Sequence, residues 1–352
     1  MKLAKCSSST SAVSALALLA IALLPALTLA QPGEGRGRLG LDPRAEDRTY
    51  HFDDTDENMQ YCVFASSNVS PDTPAPLIIT LHGLGAGPQI MCNTTAVDLA
   101  EKGGYILASP MGYNTGGWYG SPLLTGGPAL PELDFDAIDR GSDGELTLDD
   151  VTTFFSNAGN GPGANGPGGA GFATRAFERW DADGDGSVTR QEFADRPRPG
   201  AFGGGNQPEN LAELSENDVM NVLAMMRKEF NVDPDRIYLT GHSMGGAGTL
   251  FLGSKHAGIF AAIAPVAPAA FSMTENRAEI LGRLDDAGVP VMIVHGDADE
   301  AVPVDLARTW VATMKEIGME HEYVELPGVT HGPVITISQE HVYEFFDKHS
   351  KR

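Results

Sequence analysis

The stretch Arg236-Ile237-Tyr238-Leu239-Thr240-Gly241-His242-Ser243-Met244-Gly245-Gly246 decides the fold. Residues 236–240 have the composition of a strand, and the run from Met244 to Lys255 has that of a helix. Between them lies the pattern Gly-x-Ser-x-Gly. A serine at such a junction needs a tight, strained turn, and glycine leaves room beside it. The turn lifts the hydroxyl clear of the sheet. The pentapeptide alone would also suit a glycine-rich turn; the strand before it and the helix after it favour a nucleophile.

Outward from this elbow, strands and helices alternate. Continuous apolar runs of strand length are predicted at 76–81, 105–108, 237–240, 261–264 and 289–294. Runs of this kind suit strands covered on both faces. The segment 322–326 is more polar and fits an edge strand, and 48–53 with 59–66 reads as an N-terminal hairpin. Helices are predicted at 93–102, 216–229, 244–255, 278–287, 305–317 and 338–349. The fold class this implies is α/β: a mostly parallel sheet with helices on both faces. Between Gly126 and Gln207 the alternation stops. Two acidic loops stand there, separated by a linker rich in Gly, Pro and Asn at 157–171. Residues 132–196 therefore read as an inserted subdomain, with 49–131 and 197–352 forming the main domain.

Lys2 and Lys5, the apolar stretch 12–24 and the small residues Thr28-Leu29-Ala30 have the pattern of a secretory signal peptide over 1–30. The apolar core is short and broken by Pro25, which disfavours a membrane anchor. Residues 31–48 read as a flexible leader. The chain is then expected to be secreted or periplasmic. A net charge of −23 argues against nucleic acid or an anionic membrane as partner. Cys62 and Cys92 remain after signal cleavage, either bridged or as two buried thiols.

A serine hydroxyl needs an imidazole to take its proton and a carboxylate to orient that imidazole. Asp297, Asp299 and Glu300 follow the strand at 289–294 and compete for the carboxylate role. His331 lies on a loop after the last strand and before the final helix. His341 and His349 fall on that helix, and His321 opens a strand. His82 and His295 sit beside glycine at strand ends, where an imidazole is commonly structural. Acyl transfer also needs backbone N–H groups aimed at the developing oxyanion. Met244 offers one and Leu84, in the glycine-rich run 81–87, the other. Trp118 and Tyr119 are candidate substrate-wall residues, with ordinary packing as the alternative.

At these residues the chain resembles α/β-hydrolases of the secreted esterase, polyhydroxybutyrate-depolymerase-like and prolyl-oligopeptidase-like group. The matching motifs are Leu81-His82-Gly83-Leu84-Gly85, residues 236–246, and His295-Gly296 with Asp299 and Val302-Pro303. The resemblance spans about 50–123 and 208–350. It implies an α/β-hydrolase fold, the chain order Ser, acid, His, and an acid three residues before Val-Pro, which selects Asp299. The group's histidine motif often reads Gly-x-Gly-His, where this chain has Gly-Val-Thr-His. The implied activity is hydrolysis of small or polymeric carboxylic esters, with no cofactor for catalysis. A peptidase using the same triad and a non-catalytic calcium-dependent binding protein are the alternatives.

The insert carries its own motif. Asp181-Ala182-Asp183-Gly184-Asp185-Gly186-Ser187-Val188-Thr189-Arg190-Gln191-Glu192 matches an EF-hand loop throughout. Asp181, Asp183 and Asp185 would give single oxygens, Ser187 a carbonyl, and Glu192 two oxygens to Ca2+. Phe177 and Phe193 flank it and are expected to pack on a partner loop. That loop is 139–150, where Asp139, Asp143, the Glu145 carbonyl and Asp150 are the candidate ligands. Gly141 offers no side chain there, so a weaker site is expected. The insert reads as a calcium-stabilised unit; a lid beside the active site or a dockerin-like module are the other readings.

Overall fold

The computed structural model describes residues 40–122, 134–157, 177, 180–181, 183–195 and 208–351. The expected signal peptide at 1–30, the leader up to 39 and the linker at 158–171 lie outside the described residues.

Strands β1 (Glu46–Phe52) and β2 (Glu57–Ala65) form an antiparallel hairpin. Strands β3 (Ala75–Leu81) and β4 (Ile106–Pro110) follow, joined through helix α1 (Thr94–Gly103). In the insert, β5 (Glu145–Leu146) pairs with β6 (Val188–Thr189) as a separate two-stranded ribbon. Then come β7 (Val232–His242), β8 (Ala262–Val266), β9 (Val291–Gly296) and β10 (His321–Leu326). Among the described residues the main sheet runs β1-β2-β4-β3-β7-β8-β9-β10, parallel from β4 onward. The half-buried β10 is the edge strand that its polar sequence predicts.

The continuous apolar runs are explained by two cores, one on each face of the sheet. Along β3, Leu77, Ile79 and Leu81 join the core under the helices Leu211–Glu229, Met244–Lys255, Arg277–Asp286 and Val304–Ile317. Ile78 points the other way, into the core with α1 and the helix Gln339–Asp347. Strand β9 divides likewise, Val291 and Ile293 against Met292 and Val294. With a side-chain period of two, a strand covered on both faces has no polar phase to show.

Three sequence expectations change. Residues 40–48 are anchored rather than a loose leader: the Asp42 N–H donates to the Cys92 carbonyl at 2.9 Å, and β1 begins at Glu46. The helix predicted from Glu216 begins at Leu211, because Leu211 and Leu214 are buried. Strand β7 begins at Val232 rather than Ile237, its polar start still pairing with Ala75 of β3 across an irregular register.

Cys62 of β2 and Cys92 form a disulfide, with a sequence separation of 30 and both cysteines fully buried. Closing a loop of that length restricts the unfolded chain by about 3.5 kcal/mol in the loop-entropy account. The double variant Cys62→Ser, Cys92→Ser is expected to lose stability of that order in urea unfolding. An unchanged midpoint would contradict the loop-entropy account.

The insert has an apolar cluster of its own: Phe135, Ile138, Leu146, Val151, Phe177, Trp180, Val188 and Phe193. Phe135 and Trp180 each stand edge-on to Phe193, at 5.3 and 5.4 Å between centroids. Among the described residues, no helix is long and apolar enough to cross a membrane.

Candidate active site

Ser243 sits between β7 and the helix Met244–Lys255 with φ 59° and ψ −113°, a backbone conformation that non-glycine residues adopt under constraint. The constraint is visible. Its N–H donates to the Val266 carbonyl, and its own carbonyl accepts from Ala269 N–H, both at 3.0 Å. The glycines of the pentapeptide are set by close approach rather than by dihedral freedom. A Cβ on Gly245 would stand 2.1 Å from the Leu81 carbonyl oxygen, and one on Gly241 would stand 2.4 Å from the Gly245 oxygen.

Of the three competing carboxylates, Asp299 reaches His331. Its Oδ2 lies 2.6 Å from His331 Nδ1. Asp299 Oδ1 accepts the N–H groups of Ala301 and Val302 at 2.9 and 2.8 Å, so the carboxylate is fixed by its own turn. Asp299 is 5% exposed, whereas Asp297 and Glu300 are exposed. Asp297 plays a different part. It accepts the Gly328 N–H at 2.6 Å and so ties down the loop that carries His331.

His295, read from sequence as a structural imidazole, also touches the acid. Its Nε2 lies 2.9 Å from the Val302 carbonyl oxygen and 3.3 Å from Asp299 Oδ2. Burial works to raise the Asp299 carboxyl, but hydrogen bonds from His295 and His331 outweigh it and hold the group well below the usual carboxylate range. His242 secures the other side. Its Nε2 lies 2.9 Å from the His331 carbonyl oxygen, and the two rings are 4.5 Å apart. The histidine loop is thereby tied to the residue just before Ser243.

Gly83 brings the 82–87 turn against the elbow: a Cβ there would lie 3.5 Å from Ser243 Cβ. The side chain of Leu84 is 39% exposed on this turn. Met244 opens its helix, where the first amides have no acceptor within the helix. Trp118 is half-buried against the core, and Tyr119 corrects the substrate-wall expectation. Its side chain is fully buried, with the hydroxyl donating to the His82 carbonyl at 3.2 Å, so it faces protein rather than substrate.

In the insert, the two acidic loops face each other through β5 and β6, with Leu146 opposite Val188, the eighth residue of each loop. Gly144 and Gly186, sixth in each, have φ of 87° and 92°. Carboxylate oxygens of Asp181, Asp183 and Asp185 lie within 4.8 Å of one another. Glu192 Oε2 accepts the Thr189 N–H at 2.8 Å, and Asp150 Oδ2 accepts that of Thr147 at 2.9 Å.

Residues 191–344, which contain Ser243, Asp299 and His331, match the model of the dienelactone hydrolase family. Over 128 residues the chain is 29% identical to Cutinase 1 of Thermobifida cellulosilytica, covering 36% of this chain and 45% of that protein. Over 85 residues it is 34% identical to a bifunctional acetylxylan esterase/xylanase of Neocallimastix patriciarum, covering 24% of this chain and 11% of that protein. The chain thus spans less than half the length of these curated relatives. The crystal structure of a thermostable esterase superposes on 88% of this chain and 64% of its own, with a TM-score of 0.50 and 19% identity. Together with the sheet topology, these likenesses place the fold in the α/β-hydrolase superfamily.

Proposed function

We propose that this chain is a secreted serine hydrolase that cleaves carboxylic esters through an acyl-enzyme. The observation that carries the reading is the 2.6 Å contact between His331 and Asp299 on a loop tied beside the strained Ser243 elbow. In this reading Ser243 Oγ attacks the acyl carbon while His331 takes its proton and passes it to the leaving alcohol. The amides of Leu84 and Met244 receive the oxyanion. Water, deprotonated by His331, then attacks the acyl-enzyme and releases the acid with Ser243 restored. Because Asp299 is held below its usual range, it stays ionised in mild acid. Loss of rate in mild acid should therefore not come from protonation of Asp299.

The likeness to cutinases and to an acetylxylan esterase supports an ester rather than a peptide substrate. The Cys62–Cys92 disulfide supports an oxidising compartment. The test is hydrolysis of p-nitrophenyl butyrate beside a peptide p-nitroanilide. Saturable turnover of the ester alone is the expected result; turnover of the anilide at a comparable rate would replace the reading with a peptidase. Asp299→Asn is expected to lower kcat on the ester by about 10⁴-fold at neutral pH, because the amide stabilises the wrong imidazole tautomer. A rate within tenfold of wild type, as a rough bound, would remove Asp299 from the triad.

The proposal extends to the insert. Asp181, Asp183, Asp185, the Ser187 carbonyl and Glu192 would hold Ca2+, supported by the closeness of the three aspartates. Asp139, Asp143, the Glu145 carbonyl and Asp150 would form a weaker partner site. Clustered carboxylates repel one another without an ion, so binding would supply folding energy to the insert. Calorimetric titration of the full chain should show saturable calcium binding, and chelator should lower the insert's melting temperature. No heat and no change in melting would contradict this.

A further inference from the structure

Residues 111–121 carry a concentration of strain that ester hydrolysis by the triad leaves unexplained. Gly112, Tyr113, Trp118, Tyr119 and Gly120 all have φ between 53° and 77°. Three of the five bear side chains that disfavour this region, so the surroundings must impose it. The segment touches the 82–87 turn repeatedly. His82 Nε2 lies 2.8 Å from the Met111 carbonyl oxygen. The Gly85 N–H donates to the Thr115 carbonyl at 2.8 Å, and the Tyr119 hydroxyl donates to the His82 carbonyl. The buried Tyr119 ring stands edge-on to the His82 imidazole, 5.6 Å between centroids.

The strained segment is held in turn by the helix Leu211–Glu229. Asp218 Oδ2 accepts the N–H groups of Gly112 and Tyr113 at 2.6 and 3.2 Å, while its Oδ1 accepts the Tyr50 hydroxyl at 2.5 Å. One helical turn earlier, Ser215 Oγ donates to the Gly112 carbonyl at 2.6 Å. Asp218 is fully buried, and burial pushes its carboxyl up despite these donors. A buried carboxylate costs stability. Here two of its donors are the amides of one backbone corner, which the carboxylate fixes in place.

We propose that Asp218 is a positioning residue for catalysis: it pins Gly112 and Tyr113, and through Met111, Thr115 and Tyr119 fixes the turn that presents the Leu84 amide to the oxyanion. The inference rests on the ester-hydrolase reading and on that amide's role in it. An amide stabilises the transition state only if it already points where charge develops. Play in the turn therefore costs rate at saturating substrate and leaves ground-state binding alone.

The test compares Asp218→Ala, Asp218→Asn and Ser215→Ala on p-nitrophenyl butyrate. Asparagine keeps an acceptor for Gly112 and Tyr113 and offers its amide N–H to the Tyr50 oxygen. Asp218→Ala is expected to lower kcat by about 10- to 100-fold with KM changed less than about threefold. This loss is no larger than the roughly 100- to 1000-fold cost of removing one oxyanion donor outright, because the amide is misplaced rather than removed. It should weaken inhibition by butylboronic acid, whose tetrahedral serine adduct places an oxygen in the same site, by the same factor as kcat/KM. Asp218→Asn should recover most of both losses, and Ser215→Ala should show a smaller loss of the same kind. If Asp218→Ala fails to fold, Ser215→Ala decides the matter. Unchanged kcat and boronate affinity per folded molecule, with only a lowered melting temperature, would overturn the proposal. An inert wild type would instead overturn the hydrolase reading itself, so the two failures are distinct.

Discussion

Replacing Ser243 with alanine should abolish ester hydrolysis while leaving the fold intact, with kcat lower by about 10⁶-fold and only the residual rate from the oxyanion amides and substrate binding left. The structural cost is small. Ser243 is buried at the elbow, but its hydrogen bonds there run through its backbone N–H and carbonyl, which alanine keeps. Alanine also accepts the same positive φ at a cost similar to that for serine. The measurement is initial-rate kinetics on p-nitrophenyl butyrate with thermal melts of both proteins. Matching melts with lost activity are expected; activity retained in the variant would show that another group attacks the ester.

Gly245→Ala is expected to be severely damaging for a single added methyl. The added Cβ would lie 2.1 Å from the Leu81 carbonyl oxygen, 2.5 Å from its carbon and 2.8 Å from the His82 oxygen. All three atoms are backbone, at the end of β3 and the start of the 82–87 turn, so no side chain can rotate away. The strand end or the helix must move. A loss of about 3 kcal/mol or more is expected, at the upper end of what overpacking costs. Activity should fall further than stability alone explains, because the helix start and the turn it strikes carry the two proposed oxyanion amides. Gly258→Ala, with nothing near its added Cβ, is the control and should be close to neutral. Equal stability of the two variants in urea would contradict the packing account.

The parallel strands are legible in the sequence because burial on both faces removes every polar phase: β3 and β9 read as unbroken apolar runs. The elbow is legible because close backbone approach at Gly241 and Gly245 leaves a fixed glycine spacing. Chain order suggests His331 and a group of three carboxylates, from which the Val-Pro spacing of the resemblance selects Asp299, yet the residues that hold the two are not legible. His295 looks like any histidine beside a glycine, and its contact with Asp299 depends on the turn through Val302. Asp218 escapes sequence reasoning for a sharper reason. A carboxylate within an amphipathic helix reads as part of a solvated face, and it is the strained segment and Tyr50 of β1, both distant in sequence, that cover it. Tyr119 misleads in the same way. A loop aromatic has no periodicity to reveal which side it faces, and burial against Gly248 and Gly112 turns it inward.

The most direct test of the central claim is covalent. The chain is incubated with diethyl p-nitrophenyl phosphate, which an activated serine attacks to give a stable diethylphosphoryl ester, and the product is mapped by peptide mass spectrometry. The account predicts one adduct, on the peptide containing Ser243, formed in step with loss of esterase activity and absent in Asp299→Asn over the same period. Activity lost with the adduct on a different residue, or activity retained with Ser243 fully modified, would contradict it.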